Sequence, residues 1–474
     1  MTILSLISQQ SPTNGQKYLK LETLFKKAIS DGILKPGEKL PPLRVAAWNA
    51  KCSLGTMSRV YTSLERKGLV AAEVGRGTFV QEKSNIGADV ILPNSSSSRN
   101  KTTISDNGFI DLGMNAIAND WGENLVRWAL RRASEKASSL TLMTYRDGFG
   151  DPAQKLSMRN FLPVHLQDTT DERILITHGA QNGIFTALSR LTTPGDTVCI
   201  EPLSYPGISA ALSQSGLSSV IVETDDKGIC PQSFEKLCQE GRIRTLVTTA
   251  TGHNPTCITT PLPRRKEIGA LAMKYNILII EDDIYGFLYP EAPPPYAFLY
   301  PEISVYLTGL AKRITPALRI GLAIAPPHIT MLMAQGITAQ TWMVSPILVT
   351  AAIEISERND ELLTIPSTIS AQAIKRAELT QQILKNNVTS IKICRSHAWI
   401  ELPTTISVEI FVKRAKAAGV NIMDGNRFAN KSNAGRHNIR LSIMAPSRDS
   451  LLKSALIKLD AILSTPNENF YEML

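Results

Sequence analysis

The chain has 474 residues, ordinary apolar and charged fractions, and a net charge of +9. That length is too great for one hydrophobic core and predicts two or three domains, and no apolar run approaches the roughly 18 residues that a membrane helix needs. The six cysteines lack a CxxC spacing, which disfavours a disulfide framework and a zinc site, so we expect reduced thiols in a cytoplasmic protein and no metal site.

The positive charge is concentrated at the amino-terminal end. Residues 1–83 carry 13 Lys and Arg against 6 Asp and Glu, a net +7, so the rest of the chain is nearly neutral. A basic segment followed by a neutral body is typical of a polyanion-binding module attached to a domain with a different task.

The basic segment begins with a pattern of three helices. Apolar residues at helical spacing predict Tyr18–Asp31, Leu43–Asn49 and Leu54–Lys67. Gly32 would end the first helix in a left-handed conformation, and Ser53 would serve as N-cap of the third.

A hairpin follows the third helix. Strands at Leu69–Val74 and Thr78–Gln81 would flank a tip at Gly75-Arg76-Gly77. This is the winged-helix order, in which the third helix enters the major groove of double-stranded DNA and the hairpin lies along the minor groove. A winged helix that contacts another protein is the alternative, which the basic excess disfavours. The exposed candidates for DNA contact are Arg44, Thr56, Ser58, Arg59, Tyr61 and Arg76.

This segment resembles the GntR family of bacterial transcription regulators. The resemblance rests on Gly32-Ile33-Leu34-Lys35-Pro36-Gly37-Glu38-Lys39-Leu40-Pro41, on Arg44 and on Gly75-Arg76-Gly77-Thr78-Phe79-Val80. Pro42 and Leu54 stand where the family usually has serine and arginine. The resemblance therefore implies a winged helix-turn-helix DNA-binding domain in which one arginine contact is missing.

A polar segment separates this domain from the rest of the chain. It contains Pro93-Asn94-Ser95-Ser96-Ser97-Ser98-Arg99-Asn100, which has the composition of a flexible linker. We therefore expect a DNA-binding domain at residues 1–81, a linker at 82–107 and a large domain at 108–474.

In the large domain, short apolar strands alternate with helical patterns. The predicted strands are Ile174–Thr177, Thr197–Ile200, Thr245–Thr249 and Ile277–Ile280, and the clearest helices are Asn182–Leu191 and Pro263–Lys274. This alternation predicts an α/β fold with a mostly parallel sheet covered by helices. Strands near His397–Leu402 and Ile439–Ile443 predict a smaller α/β subdomain at about residues 345–474.

Four residues of the large domain suit the ring of pyridoxal phosphate. Asp282 follows an apolar strand and would accept a hydrogen bond from the pyridine nitrogen. Asn254 and Tyr285 would donate to the phenolic oxygen, and Lys312 would form a Schiff base with the aldehyde. The sequence therefore indicates a candidate cofactor site with Lys312 as its reactive amine.

The cofactor phosphate needs backbone N–H groups and a cation. Gly179-Ala180-Gln181 opens a predicted helix, Arg319 supplies the charge, and Tyr205 would stack on the ring. Each signal alone is weak, since a lone acidic pair is typically a solvated strand end and a lone lysine typically lies on a helix face. Their joint order favours the cofactor site.

This ordered set resembles the fold-type I pyridoxal-phosphate enzymes, the aspartate aminotransferase superfamily, over about residues 108–465. The resemblance implies that Tyr145 reaches the cofactor phosphate of the partner subunit. It also implies that Arg440 binds the α-carboxylate of an amino acid, although a surface ion pair is the alternative role for this arginine.

The whole chain resembles the MocR subgroup of GntR regulators, which joins a winged helix to an aminotransferase-like domain. The resemblance implies a head-to-tail, domain-swapped homodimer with pyridoxal phosphate bound at the interface. It further implies DNA binding that responds to the cofactor or to its adduct with an amino acid or amine.

Several positions depart from the enzyme pattern. Gly309 and Ala311 stand where the family has two serines that bind phosphate, Cys257 replaces a glycine, and His397-Ala398 replaces a glycine pair. Two lost hydrogen bonds weaken cofactor retention, so we expect reversible binding and sensing with little or no turnover. The alternatives are a working aminotransferase with a DNA-binding appendage and a regulator whose large domain no longer binds the cofactor.

Overall fold

The computed structural model describes residues 3–8, 17–35, 37–66, 69–73, 77–80, 109–118, 120–138 and 142–465. The chain divides into two compact units, Met1–Asp89 and Val90–Leu474. Within the described residues, no helix is long and apolar enough to cross a membrane.

The first unit consists of helices and a hairpin. Its elements are α1 (Ile3–Ser8), α2 (Lys17–Ser30), α3 (Leu43–Asn49), α4 (Leu54–Arg66), β1 (Val70–Glu73) and β2 (Gly77–Val80). The two strands are antiparallel, and Ser53 Oγ accepts the backbone N–H of Thr56 at 3.1 Å, as expected of an N-cap. The predicted three helices and hairpin are therefore confirmed, whereas α1 was not predicted.

Tyr61 does not have the exposed position that the sequence analysis gave it. Its side chain is only 6% exposed, its ring packs edge-on against Phe25 with centroids 5.6 Å apart, and its hydroxyl donates to the Pro41 carbonyl at 2.7 Å. The reason is helical periodicity, because Tyr61 lies on one face of α4 with Met57 and Leu64, both buried. The prediction of Tyr61 as an exposed DNA contact is wrong.

The second unit contains most of the strands. In chain order they are β3 (Ile110–Asp111), β4 (Ile174–Thr177), β5 (Thr197–Ile200), β6 (Ser218–Ile221), β7 (Thr224–Asp225), β8 (Gly228–Ile229), β9 (Ile243–Thr248), β10 (Leu278–Asp282), β11 (Ser304–Gly309), β12 (Gly321–Ile324), β13 (Ser390–Ile393), β14 (Ala398–Glu401), β15 (Val420–Asn421), β16 (Met423–Asp424) and β17 (Asn438–Leu441).

The helices of this unit lie between the strands along the chain. They include α5 (Asp120–Lys136), α6 (Pro152–Ser157), α7 (Ala180–Leu191), α8 (Pro206–Gln214), α9 (Pro231–Gln239), α10 (Leu262–Lys274), α11 (Tyr296–Leu299), α12 (Leu310–Arg313), α13 (Pro327–Thr341), α14 (Pro346–Ser356), α15 (Asn359–Leu384), α16 (Val408–Ala417) and α17 (Asp449–Leu463).

A seven-stranded sheet forms the centre of the second unit, in the order β4-β12-β11-β10-β9-β5-β6. Strand β12 runs antiparallel to both of its neighbours, and the other pairs are parallel. The predicted mostly parallel sheet is confirmed.

Helices cover both faces of this sheet, because adjacent strand residues point to opposite sides. Ile280 of β10 packs in the cluster that includes helix α7, whereas its neighbour Ile279 packs in the cluster that includes α9 and α10. A sheet covered on both faces buries the side chains on both sides of its strands, and all four residues of β4 are buried.

A second sheet, with the order β13-β14-β17-β16, is antiparallel. The short strand β3, which begins the large domain, pairs in parallel with β15 of this carboxyl-terminal region. The segment after β3 is therefore held beside the smaller subdomain, at the boundary with the large sheet.

Candidate functional site

The topology of the large sheet explains why residues far apart in sequence lie together. Strands β4, β5, β9, β10 and β11 all run in one direction, so their carboxyl ends meet at one edge. Strand β12 runs the opposite way, and its amino end lies at the same edge. The polar residues that follow β4, β5, β9, β10 and β11 therefore lie at this edge, together with those that precede β12. Open α/β sheets bind ligands at this edge.

Asp282 ends strand β10 in a buried position. Its side chain is 5% exposed, and Oδ1 has no hydrogen-bond partner within the described residues. Burial raises the pKa of the Asp282 carboxyl to about 7, and the neighbouring Asp283 carboxylate adds to the increase. A buried acceptor of this kind requires a donor, and the N–H of a protonated pyridine would supply one.

Asp283, the neighbour of Asp282, points to the other side, because successive residues of a strand alternate in direction. Its Oδ2 accepts the Tyr306 hydroxyl at 2.9 Å, and Thr308 Oγ1 donates to its backbone carbonyl at 3.1 Å. The Asp283 carboxylate thus accepts a hydroxyl of the protein through Oδ2, although its Oδ1, like Asp282 Oδ1, has no partner among the described residues. We assign Asp282 to a ligand because no hydrogen bond from a protein side chain reaches its carboxylate in the described part of the chain.

Lys312 lies on the short helix α12, directly after β11. Its Nζ donates to the backbone carbonyl of Asn115. Burial lowers the pKa of the Lys312 amine to about 8, and the nearby Arg440 guanidinium lowers it further, against the effect of Asp282. An amine with that pKa has a substantial neutral, nucleophilic fraction near neutral pH.

Asn115 contacts several residues of this site. The sequence alone did not identify it. It is buried, its Nδ2 donates to the Tyr285 hydroxyl at 2.6 Å, and its Oδ1 accepts the Ser442 hydroxyl at 3.0 Å. Only its position, as a polar residue just after the short strand β3, offered a signal in the sequence, and that signal does not distinguish it from an ordinary loop asparagine.

Tyr285 and Asn254 are both oriented as possible donors. The Tyr285 hydroxyl accepts from Asn115, so its own hydrogen remains to be donated. Asn254 Oδ1 accepts from Arg440 Nη1 at 3.2 Å, which leaves the amide NH₂ as the group for a ligand oxygen. These two side chains could therefore donate to the phenolic oxygen as predicted.

Arg440, in strand β17, does not form a surface ion pair. It is 4% exposed, its Nη2 donates to the Gly113 carbonyl, and its guanidinium carbon lies 5.0 Å from the ring centre of Phe428. Its Nε is buried without a partner among the described residues. Because its present partners are neutral, a carboxylate would bind this guanidinium more strongly than they do.

Backbone atoms approach closely at the start of helix α7. Gly179 has φ 80°, and a Cβ at this position would lie 2.9 Å from Arg319 Nη2. A Cβ on Gly321 would lie 2.6 Å from the Gly179 carbonyl carbon. The glycines thus place the Arg319 guanidinium over the first free N–H groups of α7, those of Ala180 and Gln181, a combination that suits a phosphate dianion.

Tyr205 lies beside this helix start. Its side chain is 37% exposed, and a Cβ on Gly207 would lie 2.2 Å from its ring and 2.1 Å from Gln181 Oε1. Gln181 Nε2 also donates to the Gly207 carbonyl at 2.9 Å. Burial raises the pKa of Tyr205, and the nearby Asp282 carboxylate also raises it.

A buried polar pair flanks the same edge and was also missed from the sequence. His253 Nε2 lies 3.0 Å from Glu201 Oε2, and Thr248 Oγ1 donates to Glu201 Oε1 at 2.9 Å. Both residues directly precede or follow predicted motifs, so their location was foreseeable although their pairing was not. They hold the chain ends of β5 and β9 together beneath the site.

Tyr145 is not part of the cluster around Asp282 in its own chain. Its side chain is 77% exposed and stacks against Trp342, with ring centroids 5.2 Å apart. An exposed aromatic pair of this kind is compatible with the role that the resemblance implies, a contact with a partner subunit's site.

The predicted DNA-contact residues of the first unit fall into four groups. Arg44, Ser58 and Arg59 are exposed, and Thr56 is half-buried with its Oγ1 2.8 Å from Ser53 Oγ. Arg76 lies outside the described residues. Together with buried Tyr61, these positions leave Arg44, Ser58 and Arg59 as the clearest candidates.

Comparison with known proteins finds two family matches and full-length relatives. The sequence model of aminotransferase class I and II matches residues 107–459, and that of bacterial regulatory proteins of the gntR family matches residues 17–80. The uncharacterized HTH-type transcriptional regulator YdeF of Bacillus subtilis (strain 168) is 26% identical over 454 residues, covering 94% of both chains.

Other relatives match a part of the chain. The HTH-type transcriptional regulator TauR of Rhodobacter capsulatus is 29% identical over 292 residues, covering 60% of this chain and 59% of TauR. Among solved structures, LysN, an α-aminoadipate aminotransferase from Thermus thermophilus, has a TM-score of 0.68 at 21% identity, covering 75% of this chain and 92% of LysN. This last likeness shows the fold of the large domain.

Both the match over residues 107–459 and the donor set of the site support pyridoxal 5′-phosphate as the cofactor. The unpartnered Asp282 oxygen suits the ring nitrogen, the close backbone approach at Gly179 suits the phosphate, and Lys312 offers an amine of lowered pKa to the aldehyde. The residues present therefore fit the group.

Proposed function

Because the chain belongs to the class I and II aminotransferase family and joins that domain to a gntR-family domain, we propose that it is a DNA-binding transcription regulator that senses pyridoxal 5′-phosphate or the cofactor's adduct with an amino acid. This two-domain arrangement is consistent with the MocR subgroup that the sequence resembles, and its full-length relative YdeF is a transcriptional regulator.

The observation that carries the proposal is the coexistence of two intact parts in one chain. Helix α4 presents Ser58 and Arg59 to solvent from a basic unit, which is the arrangement that a helix entering the major groove requires. The large domain keeps Asp282 with an unpartnered buried oxygen, a feature that costs stability unless a ligand satisfies it.

Bound pyridoxal phosphate would supply an aldehyde and an electron-withdrawing ring. Asp282 would hold the proton on the ring nitrogen, and Asn254 and Tyr285 would orient the ring through its phenolic oxygen. Lys312 would retain the cofactor through its amine, while Ala180, Gln181 and Arg319 would bind the phosphate. Arg440 would exchange its neutral partners for the carboxylate of an incoming amino acid.

Sensing is favoured over turnover because the phosphate site is weakened. Gly309 and Ala311 offer no hydroxyl beside the helix start, although a Cβ on Gly309 would lie 3.4 Å from Ala180 N. Loss of two hydrogen bonds to a charged group, at about 1.5–3 kcal/mol each and partly recovered by water, lowers cofactor affinity by an order of magnitude or more. A site that exchanges its cofactor can report cofactor concentration.

We further propose that the active form is a homodimer in which Tyr145 completes the phosphate site of the partner subunit. The exposed Tyr145 and Trp342 side chains support this, because a large exposed aromatic pair is typical of an interface. In such a dimer, cofactor binding would stabilise one arrangement of the two chains and thereby affect the spacing of the two DNA-binding units.

The experiment that tests the proposal is fluorescence anisotropy of the full chain on DNA from its own upstream region, with and without pyridoxal phosphate. We expect an affinity that changes with the cofactor in the wild type and not in Lys312→Ala. Lys274→Ala removes a surface lysine paired with Glu235 and is the matched control, which should respond like the wild type. Tight DNA binding that ignores the cofactor in every variant would contradict sensing.

The enzyme alternative has a separate measurement. The purified chain, loaded with pyridoxal phosphate, is incubated with a panel of amino acids and a 2-oxo acid acceptor, and product 2-oxo acids are quantified. We expect no sustained turnover. Steady formation of a 2-oxo acid that depends on Lys312, together with absence of specific DNA binding, would replace the regulator with an aminotransferase.

A further inference from the structure

We infer that Cys257, Cys394 and His397 form a binding site for a thiophilic metal ion, with Zn²⁺ as its reference ion. The possible ligand atoms of these three residues all lie within 4.8 Å of one another. The inference concerns a cluster outside the proposed cofactor contacts, and it stands whether or not the chain senses pyridoxal phosphate. It also reverses the expectation from linear cysteine spacing, because the three residues are brought together only by the fold.

The distances suit a four-coordinate ion. Metal–sulfur bonds of about 2.3 Å and metal–nitrogen bonds of about 2.0–2.1 Å in a tetrahedron place neighbouring ligand atoms roughly 3.5–3.8 Å apart. Cys394 Sγ lies 3.3 Å from His397 Nδ1, close to the required separation, and a rotation of the imidazole would direct Nδ1 toward the ion. Two sulfurs and one imidazole nitrogen form a donor set that Zn²⁺ and other soft ions prefer over Mg²⁺ or Ca²⁺.

The imidazole of His397 is already fixed in the tautomer that a metal ligand needs. Its Nε2 lies 3.0 Å from the Pro255 carbonyl oxygen, and because a carbonyl oxygen only accepts, Nε2 carries the hydrogen. Nδ1 is then the nitrogen with the lone pair, and the Ser396 hydroxyl lies 2.8 Å from it. Cys394 Sγ lies 3.3 Å from Nδ1 and 3.7 Å from Nε2, beside the ring face, so the imidazole must turn before this lone pair reaches an ion held by the sulfurs. A backbone carbonyl on the far nitrogen of a histidine is the usual outer contact of metal-binding histidines.

The sulfur atoms are held weakly by their present partners. Cys257 Sγ lies 3.5 Å from the Lys392 carbonyl and 3.6 Å from the His397 carbonyl, and Cys394 Sγ lies 3.4 Å from Ser396 Oγ. Thiol hydrogen bonds are weak, so their loss costs little when a metal–sulfur bond forms. Each thiol releases its proton to solvent as that bond forms, and the Ser396 hydroxyl or water completes the fourth position.

The site joins two parts of the large unit. Cys257 lies in the loop between β9 and helix α10, and Cys394 and His397 lie in the turn between β13 and β14. An ion held by all three would fasten the loop of the seven-stranded sheet to the antiparallel sheet. Cys257 is half-buried, whereas Cys394 and His397 are buried.

The cluster of Cys257, Cys394 and His397 also contacts Asn115, which connects several residues of the cofactor site. Asn115 Nδ2 lies 3.4 Å from His397 Nδ1, and the Asn115 carbonyl accepts from Lys312. An ion on Nδ1 would compete with the Asn115 contact and shift the residue that positions Lys312. Metal occupancy is therefore expected to change the pKa of Lys312, an effect that is measurable without cofactor.

The test uses the full chain, reduced and freed of metal by a chelator that is then removed. Co²⁺ is titrated and sulfur-to-cobalt charge-transfer absorption is recorded, and Zn²⁺ affinity is measured by competition with a chromophoric chelator. We expect one ion per chain with an intense thiolate band. Cys257→Ser, Cys394→Ser and His397→Asn should each weaken binding by about tenfold or more, while Cys230→Ser, which alters a half-buried cysteine outside the cluster, should bind as the wild type does.

Misfolding is separated from loss of a ligand by thermal melting. In metal-free buffer each variant should melt within a few degrees of the wild type, and added Zn²⁺ should raise the melting temperature of the wild type and Cys230→Ser only. The inference is overturned if the wild type shows no thiolate band, if the cluster variants retain it, or if the reduced chain instead forms a Cys257–Cys394 disulfide in air and ignores Zn²⁺.

Discussion

At the scale of single residues, the buried carboxyl of Asp282 is the clearest sign of a site built for a ligand. Its pKa of about 7 in the folded chain lies above the ordinary value of 3.8. Between those two values the unfolded chain loses a proton that the folded chain keeps, so this residue lowers stability as pH rises toward 7. Above about pH 7 the folded carboxyl is ionised as well, and the full destabilisation is present.

We therefore predict that Asp282→Asn stabilises the cofactor-free protein, and increasingly so with pH. The gain in the free energy of unfolding should be negligible near about pH 4 and reach on the order of 1–3 kcal/mol by about pH 8, because the variant carries no charge to bury. Thermal melting of the cofactor-free chain across this pH range measures it. Asp226→Asn, at an exposed position, should show no such pH dependence, and added pyridoxal phosphate should stabilise the wild type more than Asp282→Asn.

The absence of two hydroxyls near the helix start allows a second residue-scale prediction. Ala311→Ser should tighten pyridoxal phosphate binding by about tenfold, because it restores one charge-assisted hydrogen bond. Gly309→Ser should gain less, since its Cβ would lie 3.2 Å from the Ile320 carbonyl oxygen and force a small backbone shift. Cofactor titration followed by absorbance gives both affinities. Equal affinities of wild type and Ala311→Ser would mean that the phosphate does not lie beside α12.

At the scale of secondary-structure elements, helix α4 carries the DNA-binding prediction. Arg59 is exposed on this helix, and a phosphate contact from it would release one counterion. We predict that Arg59→Ala weakens DNA binding by about fivefold to tenfold. It should also make the slope of log affinity against log salt concentration less steep by about one.

A matched charge control separates this contact from the general basic field. Lys20→Ala removes one exposed positive charge from helix α2 and leaves α4 unchanged, and it should change affinity by less than about twofold. Anisotropy titrations at several salt concentrations measure both variants. If Lys20→Ala and Arg59→Ala had the same effect, the binding would depend on net charge and not on α4.

Helices and strands could be predicted where the apolar pattern of their own residues determines them. Strand β4 was predicted to the residue because three apolar residues and a β-branched threonine stand between polar ones. Helix α7 differed only at its start, because Ala180 and Gln181 add little to the helical pattern of larger apolar residues. Asp282, Lys312 and Arg319 were predictable because they end, follow or precede a strand at one sheet edge, whereas Tyr145 and Arg440 were predicted from the family resemblance alone. That rule depends on strand direction, which an alternating α/β pattern already indicates.

What could not be predicted are contacts between distant segments. Asn115 joins Lys312, Tyr285 and Ser442 only through the packing of β3 beside the small sheet. The burial of Tyr61 was foreseeable from its spacing with Met57 and Leu64, but Tyr61 was grouped with the exposed candidates Thr56, Ser58 and Arg59 of the same helix. The grouping of Cys257 with Cys394 likewise depends on tertiary structure, since their separation in sequence contains no metal-binding motif.

At the scale of the whole molecule, both chains of the proposed homodimer contribute residues to each cofactor site. Tyr145 would serve the partner's site, whereas Lys312 serves its own. A chain with Tyr145→Ala and a chain with Lys312→Ala would each have defective sites as homodimers. A mixed dimer would contain one site with both defects and one with neither, because the two substitutions then fall on the same site.

We therefore predict complementation between the two variants. After the differently tagged chains are mixed under exchange conditions and the mixed dimer is isolated, pyridoxal phosphate should bind one site per dimer with wild-type affinity, while each parent homodimer binds at least about tenfold more weakly. A mixed dimer of wild type and Lys312→Ala should also bind one equivalent, which calibrates the signal. Two weakened sites in the mixed dimer would show that Tyr145 acts within its own chain, and a chain that stays monomeric at all concentrations would remove the shared site altogether.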